Sequence, residues 1–151
     1  MKVSKMQQSF FKFPFNPEYA MVEGLHIPTC SLAESIAQHI MLLVLTRKGE
    51  NRFNPDYGNA VWDLEFDNAV TAVDWERVFE ESLQEQIQQY EPRIRFAQIQ
   101  VRIEYVEHTY GTKDFVEIRK KAKIGINAEL TELGELFTFS THIYLSPMSI
   151  D

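Results

Sequence analysis

Apolar side chains recur with helical spacing in the segment that begins at Ser31. Ser31 and Glu34 match a capping box, in which the hydroxyl and the carboxylate each satisfy a free backbone N–H at the helix start. The apolar positions on one face are Ile36, Ile40, Leu43 and Val44, and Met41, Leu42 and Leu45 add apolar residues on the other sides. The pattern predicts a helix that ends between Thr46 and Gly49. A helix that is apolar nearly all round is either buried on several faces or half covered by a partner.

A second helix is predicted after the turn-rich residues 47–60 and a short segment from Val61 to Phe66. Asp74 is the predicted N-cap, because its carboxylate can accept hydrogen bonds from the first-turn amides. The apolar stripe of this helix is Trp75, Val78, Phe79, Leu83, Ile87 and Tyr90. Pro92 ends the helix and pushes Glu91, the residue before it, out of the helical conformation.

The last third of the chain alternates between apolar and polar residues, which is the period of a half-buried strand. The apolar positions are Ala97, Ile99, Val101, Ile103 and Tyr105, then Val116, Ile118, Ala122, Ile124, Ile126, Ala128 and Leu130, then Phe137, Phe139, Thr141, Ile143 and Leu145. Because one face of each strand is polar, the pattern is typical of an antiparallel sheet. The predicted fold class is α+β, with two main helices packed on a small antiparallel β-meander of about three strands.

Residues 1–30 differ in composition from the rest of the chain. They contain three of the six prolines and the cluster Phe10, Phe11, Phe13 and Phe15. Neither helical nor strand periodicity fits them, and prolines favour extended chain around themselves. We therefore predict a Pro/Phe-rich N-terminal arm over residues 1–30, either packed back on the protein or free for a partner. Residues 31–151 are predicted to form a single domain.

The charge balance narrows the classes of function. The chain has 15 Lys and Arg against 22 Asp and Glu, a formal net charge of −7. This argues against a general nucleic-acid binder, since phosphate contacts require clustered Lys and Arg. The single cysteine, Cys30, excludes an internal disulfide and suits a reducing compartment. No secretory signal and no apolar run of membrane-spanning length are recognised, so we expect a cytoplasmic protein without membrane insertion.

The candidate catalytic and metal-binding residues do not match the spacing of a known active site or metal site. The histidines, His26, His39, His108 and His142, are widely scattered, so no metal or other cofactor is predicted. Glu50, Asp56 and Glu91 are the carboxylates near turns that a glycosidase pair could use. Nothing in the sequence marks one of them as protonated while another stays ionised. We therefore predict no enzymatic activity, with a muramidase-like glycoside hydrolase as the alternative.

Basic residues on the predicted strands leave a second alternative open. They are Arg93, Arg95, Arg102, Arg119, Lys120, Lys121 and Lys123. An RNA-binding adaptor would use the edge from Lys120 to Lys123, although acidic residues are interleaved with these basic ones. The same lysines can guard a sheet edge against unwanted strands or shape a cationic edge for one chosen partner.

The segment Glu91-Pro92-Arg93 connects the second predicted helix to the first predicted strand of the sheet. A carboxylate at a helix C-terminus faces the negative end of the helix dipole, which costs up to ~1 kcal/mol. Arg93, or an Arg of a partner, would compensate it, and Arg is suited to bidentate contacts with a carboxylate. The segment is therefore a candidate contact site. The alternative is a local Glu–Arg pair, which contributes little to stability if it is exposed.

The order of these features resembles the contractile-tail baseplate wedge family, which includes phage sheath-initiator proteins and TssE of type VI secretion and is also labelled "lysozyme-like". The likeness spans about residues 31–145. It rests on the first helix, Gly49-Glu50, Pro55-Asp56-Tyr57-Gly58 and Glu91-Pro92-Arg93, in that order and spacing. The chain departs from the family pattern at Asn51, where members often have Arg directly after Gly-Glu, and the N-terminal arm has no counterpart.

The resemblance implies a structural role. Members of that family sit in the baseplate and seed polymerisation of the contractile sheath, whose strands add to their sheet. The resemblance further implies docking through Glu91, Pro92 and Arg93 onto baseplate wedge proteins of the TssF/TssG kind, and contact with sheath subunits of the TssB/TssC kind. It implies a cytoplasmic assembly, docked at the inner membrane if the system is of the secretion type, and it carries no activity over from the lysozyme label.

Overall fold

Two long helices pack against one face of an antiparallel sheet in the computed structural model. The structure describes residues 9–14, 16, 18–22, 26–64, 67, 69–109, 116–146 and 148–149. The elements are β1 (Phe10–Phe11), α1 (Glu18–Met21), β2 (Thr29–Cys30), α2 (Leu32–Leu45), a 3₁₀ helix (Ala60–Leu64), α3 (Ala72–Tyr90), β3 (Ile94–Thr109), β4 (Val116–Leu130), β5 (Leu136–Ser146) and β6 (Met148–Ser149). The predicted α+β class is confirmed.

The main sheet has the strand order β3-β4-β5-β6, which is also the order along the chain. All its pairings are antiparallel, and β6 adds only two residues at one edge. β1 and β2 form a separate two-stranded sheet. The expectation of two main helices on an antiparallel sheet therefore holds, whereas the described strands form two sheets instead of one meander.

The α2 helix begins and ends as the sequence predicts. Ser31 N donates to Glu34 Oε2 at 2.8 Å and Glu34 N donates to Ser31 Oγ at 3.2 Å, so both bonds of the capping box are present. Thr46 is the C-cap. Leu42 is 45% exposed. One side of this apolar helix is therefore left without full cover by the described residues.

The N-cap of α3 is Thr71, and the prediction of Asp74 is wrong. Thr71 Oγ1 accepts a hydrogen bond from Asp74 N at 3.2 Å, and Thr71 N donates to the Asp74 carboxylate in return. Asp74 is thus the third helical residue of a capping box. An acidic residue favours a helix start both as the N-cap and as the third helical residue. The presence of Asp74 therefore did not identify which residue is the N-cap. The helix ends at Tyr90, as predicted from Pro92.

The core lies between the helices and one face of the sheet. The predicted helix and strand faces meet there, and its fully buried members include Ile36, Ile40, Leu43, Val44, Phe79, Leu83 and Val101. Each such side chain contributes about 1.5–3 kcal/mol by leaving water. Trp62 joins this core from the 3₁₀ helix, and its Nε1 donates to the Val44 carbonyl at 2.9 Å.

The β3–β4 hairpin extends beyond the helices. Tyr105, Val116 and Ile118 belong to the predicted apolar face, yet they are 59%, 55% and 64% exposed. The predicted apolar face is therefore left uncovered at these positions. The alternation continues along a strand whether or not a helix covers it, so the period alone does not show where the cover ends.

The N-terminal arm contains short elements where none were expected. β1 pairs with β2, and α1 is a four-residue helix. Elements this short contain too few repeats for a periodic pattern. Phe13 N donates to Gln38 Oε1, and Gln38 Nε2 donates to Cys30 Sγ at 3.2 Å, so the described part of the arm packs back on α2. Phe15 lies outside the described residues.

The loop after α2 is tied to α3 by one buried side chain. Gln86 Oε1 accepts from Gly58 N at 2.7 Å, and Gln86 Nε2 donates to the Asp56 carbonyl at 2.9 Å. Gly58 has a φ of +118°, and a Cβ at this position would lie 2.7 Å from the Thr46 carbonyl oxygen. Both the conformation and the space require glycine.

Replacing Gly58 with Ala should lower the free energy of unfolding by more than about 3 kcal/mol, because left-handed strain adds to a clash with backbone atoms. The matched control is Gly49→Ala, since Gly49 has a φ of +89° but nothing within 4 Å of a Cβ. This control should cost only about 1–2 kcal/mol. Urea denaturation measures both losses, and equal losses would show that the Gly58 position is not crowded.

Candidate functional site

Glu91 follows α3 with its side chain turned into the protein. Its φ of −122° and ψ of 75° are non-helical, as expected for the residue before Pro92. Glu91 is only 1% exposed. A carboxylate here is doubly unfavourable, since it is removed from water and faces the negative end of the helix dipole. It therefore requires donors within direct reach.

Arg93, His39 and Ser35 complete a cluster around this carboxylate, which we call the Glu91 junction. Arg93 Nε donates to Glu91 Oε1 and Arg93 Nη2 donates to Oε2, both at 2.7 Å, which makes a bidentate pair. His39 Nδ1 lies 2.7 Å from Glu91 Oε2. Arg93 Nη1 donates to Ser35 Oγ at 2.9 Å. The junction thus joins the end of α3 and the start of the sheet to α2.

The protonation states of the junction follow from these contacts. Burial opposes the charged form of Glu91, but the hydrogen bonds from Arg93 and His39 outweigh it and lower the pKa of the carboxyl from 4.5 to about 2. Hydrogen bonding to Glu91 raises the pKa of the Arg93 guanidinium. The local Glu–Arg pair considered in the sequence analysis is present. Exposed ion pairs contribute little to stability, but this does not apply to a carboxylate that is this deeply buried.

Aromatic rings cover the junction on two sides. Tyr57 stacks on His39 with 6.0 Å between ring centroids and meets Tyr90 edge-on at 5.1 Å. Burial and the nearby Glu91 charge raise the pKa of Tyr57 to about 12, so its hydroxyl stays neutral at physiological pH. From the N-terminal arm, the Phe10 ring lies 5.4 Å from Arg93 Cζ.

The structure joins two of the three short motifs singled out in the sequence. Tyr57, from Pro55-Asp56-Tyr57-Gly58, reaches the Glu91 junction. Glu50 does not, and its Oε2 instead accepts from Arg47 N at 2.9 Å. Within the described residues, no hydrogen bond or ion pair connects Glu50 with Glu91. Gly49-Glu50 therefore shapes the turn after α2.

The candidate carboxylates do not have the properties of a glycosidase pair. A general acid in such a pair needs a raised pKa, whereas the pKa of Glu91 is lowered. Glu50 and Asp56 lie exposed in the loop. The glycoside hydrolase alternative therefore finds no support in the geometry of these three residues.

The basic residues of the strands do not form one cationic surface. Lys120 lies 4.6 Å from the Trp75 ring, whereas Lys121 approaches the Tyr144 ring on the other face of the sheet. Lys123 Nζ donates to Glu104 Oε1 at 2.9 Å. Alternation along β4 sends neighbouring lysines to opposite faces, and acids and rings occupy them there. The RNA-binding alternative therefore gains no support from this edge.

Phe96 is a candidate contact residue that the sequence analysis missed. Its φ is +54°, at a bulge where the β3–β4 register shifts between Arg95 and Gln98. The side chain is 76% exposed and borders a groove of about 380 Å³ that Pro92 also lines. A bulge can re-aim a side chain, and a bulky residue with positive φ stores strain. The signal in the sequence is the pair Phe96-Ala97, two consecutive apolar residues that break the alternation.

Other kinds of site receive little support from the described part of the chain. There, no group of three or more His, Cys, Asp or Glu side chains is placed to hold a metal ion. Cys30 Sγ donates to the Phe11 carbonyl at 3.6 Å and accepts from Gln38, so the thiol is packed within the fold. No helix among the described residues is long and apolar enough to cross a membrane.

The fold and the junction define a small α+β protein whose buried ionic cluster supports structure and whose neighbouring surface is partly apolar. The family model for baseplate wedge protein gp25 matches residues 30–130. The chain therefore belongs to the baseplate wedge protein gp25 family, and its role is that of a structural component of a baseplate. No curated protein sequence matches the chain.

Solved structures are also similar to the chain. One is a Geobacter sulfurreducens protein provisionally named a tail lysozyme, 18% identical over 80% of this chain and 97% of that chain, with a TM-score of 0.54. Another belongs to the baseplate complex from the type VI secretion system, 21% identical over 73% of this chain and 90% of that chain, with a TM-score of 0.46. The similarity to the first structure shows a shared fold only.

Removing the charge of Glu91 should cost stability in a pH-dependent way. Because the folded pKa is about 2 and the ordinary value is 4.5, ionised Glu91 stabilises the fold above pH 4.5. This stabilisation is lost as the pH falls towards 2. Glu91→Gln should therefore unfold with a free energy about 3 kcal/mol lower at pH 7, and its difference from wild type should shrink below pH 4.5.

The control for this prediction is Glu104→Gln. Glu104 pairs with Lys123, and these side chains are 45% and 54% exposed. Its loss should cost at most about 1 kcal/mol. Chemical denaturation from pH 7 down to pH 3 compares the two variants. A Glu91→Gln deficit that stays constant over this range would contradict the lowered pKa.

Proposed function

We propose that this baseplate protein is non-catalytic, docks on the wedge proteins through Glu91, Pro92 and Arg93, and initiates sheath polymerisation by strand addition to its sheet. The observation that carries the docking role is the Glu91 junction. It immobilises Arg93 on a buried carboxylate while Pro92 stays exposed beside it. Membership of the baseplate wedge family supports the same role.

The three residues have different parts in the proposed contact. Glu91 is a positioning residue, because its carboxylate is fully engaged inside the protein. Arg93 keeps 29% of its side chain exposed, and Pro92 offers a rigid apolar surface. Phe96 adjoins them and supplies a large exposed ring. Arg and aromatic side chains dominate the energetics of protein interfaces, and a rotamer already fixed in the free protein loses little entropy on binding.

The proposed partners are those of the family resemblance. They are wedge proteins of the TssF/TssG kind and sheath subunits of the TssB/TssC kind, with this chain in the place of TssE or its phage-tail counterpart. The proposed location is the cytoplasm, in a baseplate docked at the inner membrane if the system is of the secretion type. Residues 31–151 are the proposed assembly domain, and residues 1–30 are an arm that contributes Phe10 to the Glu91 junction.

Docking is tested best with variants that leave the buried pair intact. Arg93→Ala is less suitable, because it leaves Glu91 buried with fewer partners and should itself lose about 3 kcal/mol of stability. Phe96→Asn removes an exposed ring from a positive-φ position that Asn tolerates. It should keep its stability and bind purified wedge proteins at least about tenfold more weakly.

Val73→Asn is the matched control, since Val73 is 70% exposed near the other end of α3. It should bind the wedge proteins as wild type does. Titration calorimetry gives the affinities, and thermal unfolding confirms that each variant is folded. If both variants bind like wild type, and Arg93→Ala still binds at a temperature where it is folded, the docking surface is elsewhere.

The absence of catalysis is tested on cell-wall glycan. The protein should release no soluble fragments from peptidoglycan above the level of a heat-denatured sample, because neither Glu50 nor Glu91 has the environment of a general acid. Turnover that disappears in Glu50→Gln would contradict this part of the proposal and support the muramidase-like alternative.

A further inference from the structure

The middle strand of the main sheet contains a glycine that the fold itself does not require. Gly125 lies within β4 and pairs with Gln100 of β3 and Ser140 of β5. Its backbone is not in the left-handed region, and a Cβ at this position would meet nothing within 4 Å in the described part of the chain. Glycine inside a strand lowers stability, because it loses the most chain entropy and has no side chain to pack. Neither strain nor lack of space therefore explains this residue.

A depression lies over Gly125 on the face of the sheet that is turned away from the helices. Ile124 and Ile126, on either side of Gly125, are buried in the core, so the alternation of the strand places Gly125 on the opposite face. The depression, which we call the Gly125 pit, encloses about 280 Å³. On this face its lining consists of Gly125 and five uncharged polar residues, Gln98, Gln100, Asn127, Thr138 and Ser140. No hydrogen bond among the described residues occupies these five side chains.

The size and the chemistry of the pit fit one neutral aromatic side chain. Sites for drug-sized molecules enclose about 300–1,000 Å³, so the pit is too small for most of them. Strands are ~4.8 Å apart, which leaves a slot of about 10 Å between β3 and β5 with the bare backbone of Gly125 as its floor. A flat ring packs well on such a backbone, as aromatic residues do when they cover glycine within a sheet. A charged side chain would lose hydration there without gaining an ionic partner.

Among aromatic residues, tyrosine matches the rim of the pit most closely. A buried tyrosine hydroxyl requires a hydrogen-bond partner, and the rim offers amide and hydroxyl groups that donate and accept. Phenylalanine would leave these polar groups without partners beneath it, which is costly once water is excluded. Tyrosine is also enriched at the centres of protein interfaces.

The position of the pit indicates which partner supplies this side chain. The Phe96 ring lies 5.3 Å from Arg95 Cζ, and Arg95 pairs with Glu129, which shares a sheet face with Gly125. The surface is thus continuous from Phe96 to the pit, over a distance on the order of 14 Å. A standard interface covers about 800 Å² on each protein, equivalent to a disc about 30 Å across. An interface that contains Phe96 therefore reaches the pit.

We propose that the wedge protein that docks at Phe96 inserts a tyrosine side chain into the Gly125 pit, with its ring on the backbone of Gly125 and its hydroxyl bonded to the rim. The inference rests on the proposed function for the identity of the partner. It adds a second anchor point on a different face of the sheet. It also explains Gly125, since any side chain at this position would occupy the space of the ring.

The stability of the free protein tests the premise. Gly125→Ala should raise Tm by about 1–4 °C, because alanine loses less chain entropy and its Cβ enters open space. Gly125→Thr should be at least as stable as wild type, since β-branched residues favour strands. Thermal unfolding followed by circular dichroism measures these values. A lower Tm for Gly125→Ala would show that the fold needs the glycine and would overturn the inference.

Binding to the purified wedge proteins of the same system is measured by surface plasmon resonance. Gly125→Thr should weaken binding at least about tenfold, because its side chain fills the pit, and Gly125→Ala should weaken it about threefold. Val116→Thr is the matched control. It places the same side chain in the same strand, at a position that is 55% exposed and about 30 Å from Gly125. This control should keep the Tm and the affinity of wild type.

The binding data separate the inference from the proposed function. If wild type binds and Phe96→Asn weakens binding, while Gly125→Thr binds like wild type, the pit is empty in the complex. This result overturns the inference and leaves the proposed function standing. If wild type does not bind the wedge proteins, the proposed function fails, and the inference fails with it because it names the same partner.

A small probe tests the chemistry of the occupant without the partner. The probe is 4-methylphenol, the side-chain analogue of tyrosine, at millimolar concentration. An aromatic ring shields the protons beneath it, so the NMR resonances of Gly125 Hα should move upfield and the amide resonances of Gln100 and Ser140 should shift. The latter two should not move in Gly125→Thr. No shift in wild type, or a shift with N-acetylglucosamine and none with 4-methylphenol, would overturn the inference.

Discussion

The burial of a single carboxylate, that of Glu91, determines how the helices meet the sheet. Desolvation and the helix dipole both disfavour a charge at this position, so the charge persists only because Arg93 and His39 contact it directly. Those donors come from the start of the sheet and from α2, and Arg93 continues to Ser35. One electrostatic requirement thus joins the turn at residues 91–93 to α2, which lies more than fifty residues away in sequence. Tyr57 packs on His39 and Phe10 packs on Arg93 beside the same carboxylate.

Carboxylates of α3 also protect one edge of the main sheet. A sheet of three long strands has two edges, and an unprotected edge invites aggregation. Here α3 closes the centre of one edge with Glu76 and Glu80, while β5 presents a ladder beside an apolar groove. An edge of this kind favours one type of partner, a strand whose apolar residues alternate.

Much of the fold could be predicted from the sequence because local signals agreed with the tertiary structure. The capping box at Ser31, the proline stop after Glu91 and the period of two in the strands each act over a few residues. The burial of Glu91 could not be predicted, since it depends on His39 and Ser35, more than fifty residues away in sequence. The exposure of Tyr105 depends on how far α3 covers β3, and the only sequence signal for the bulge at Phe96 is the broken alternation of Phe96-Ala97. The two-residue strands of the arm are too short to show a periodic pattern of apolar and polar residues in the sequence.

The most direct test of this account is a cryo-electron microscopy structure of the protein in its assembled baseplate, with wedge and sheath proteins bound. The account predicts that Pro92, Arg93 and Phe96 are buried against a wedge protein and that Arg93 still binds the Glu91 carboxylate. A structure in which the Glu91–Arg93 surface faces solvent would contradict it.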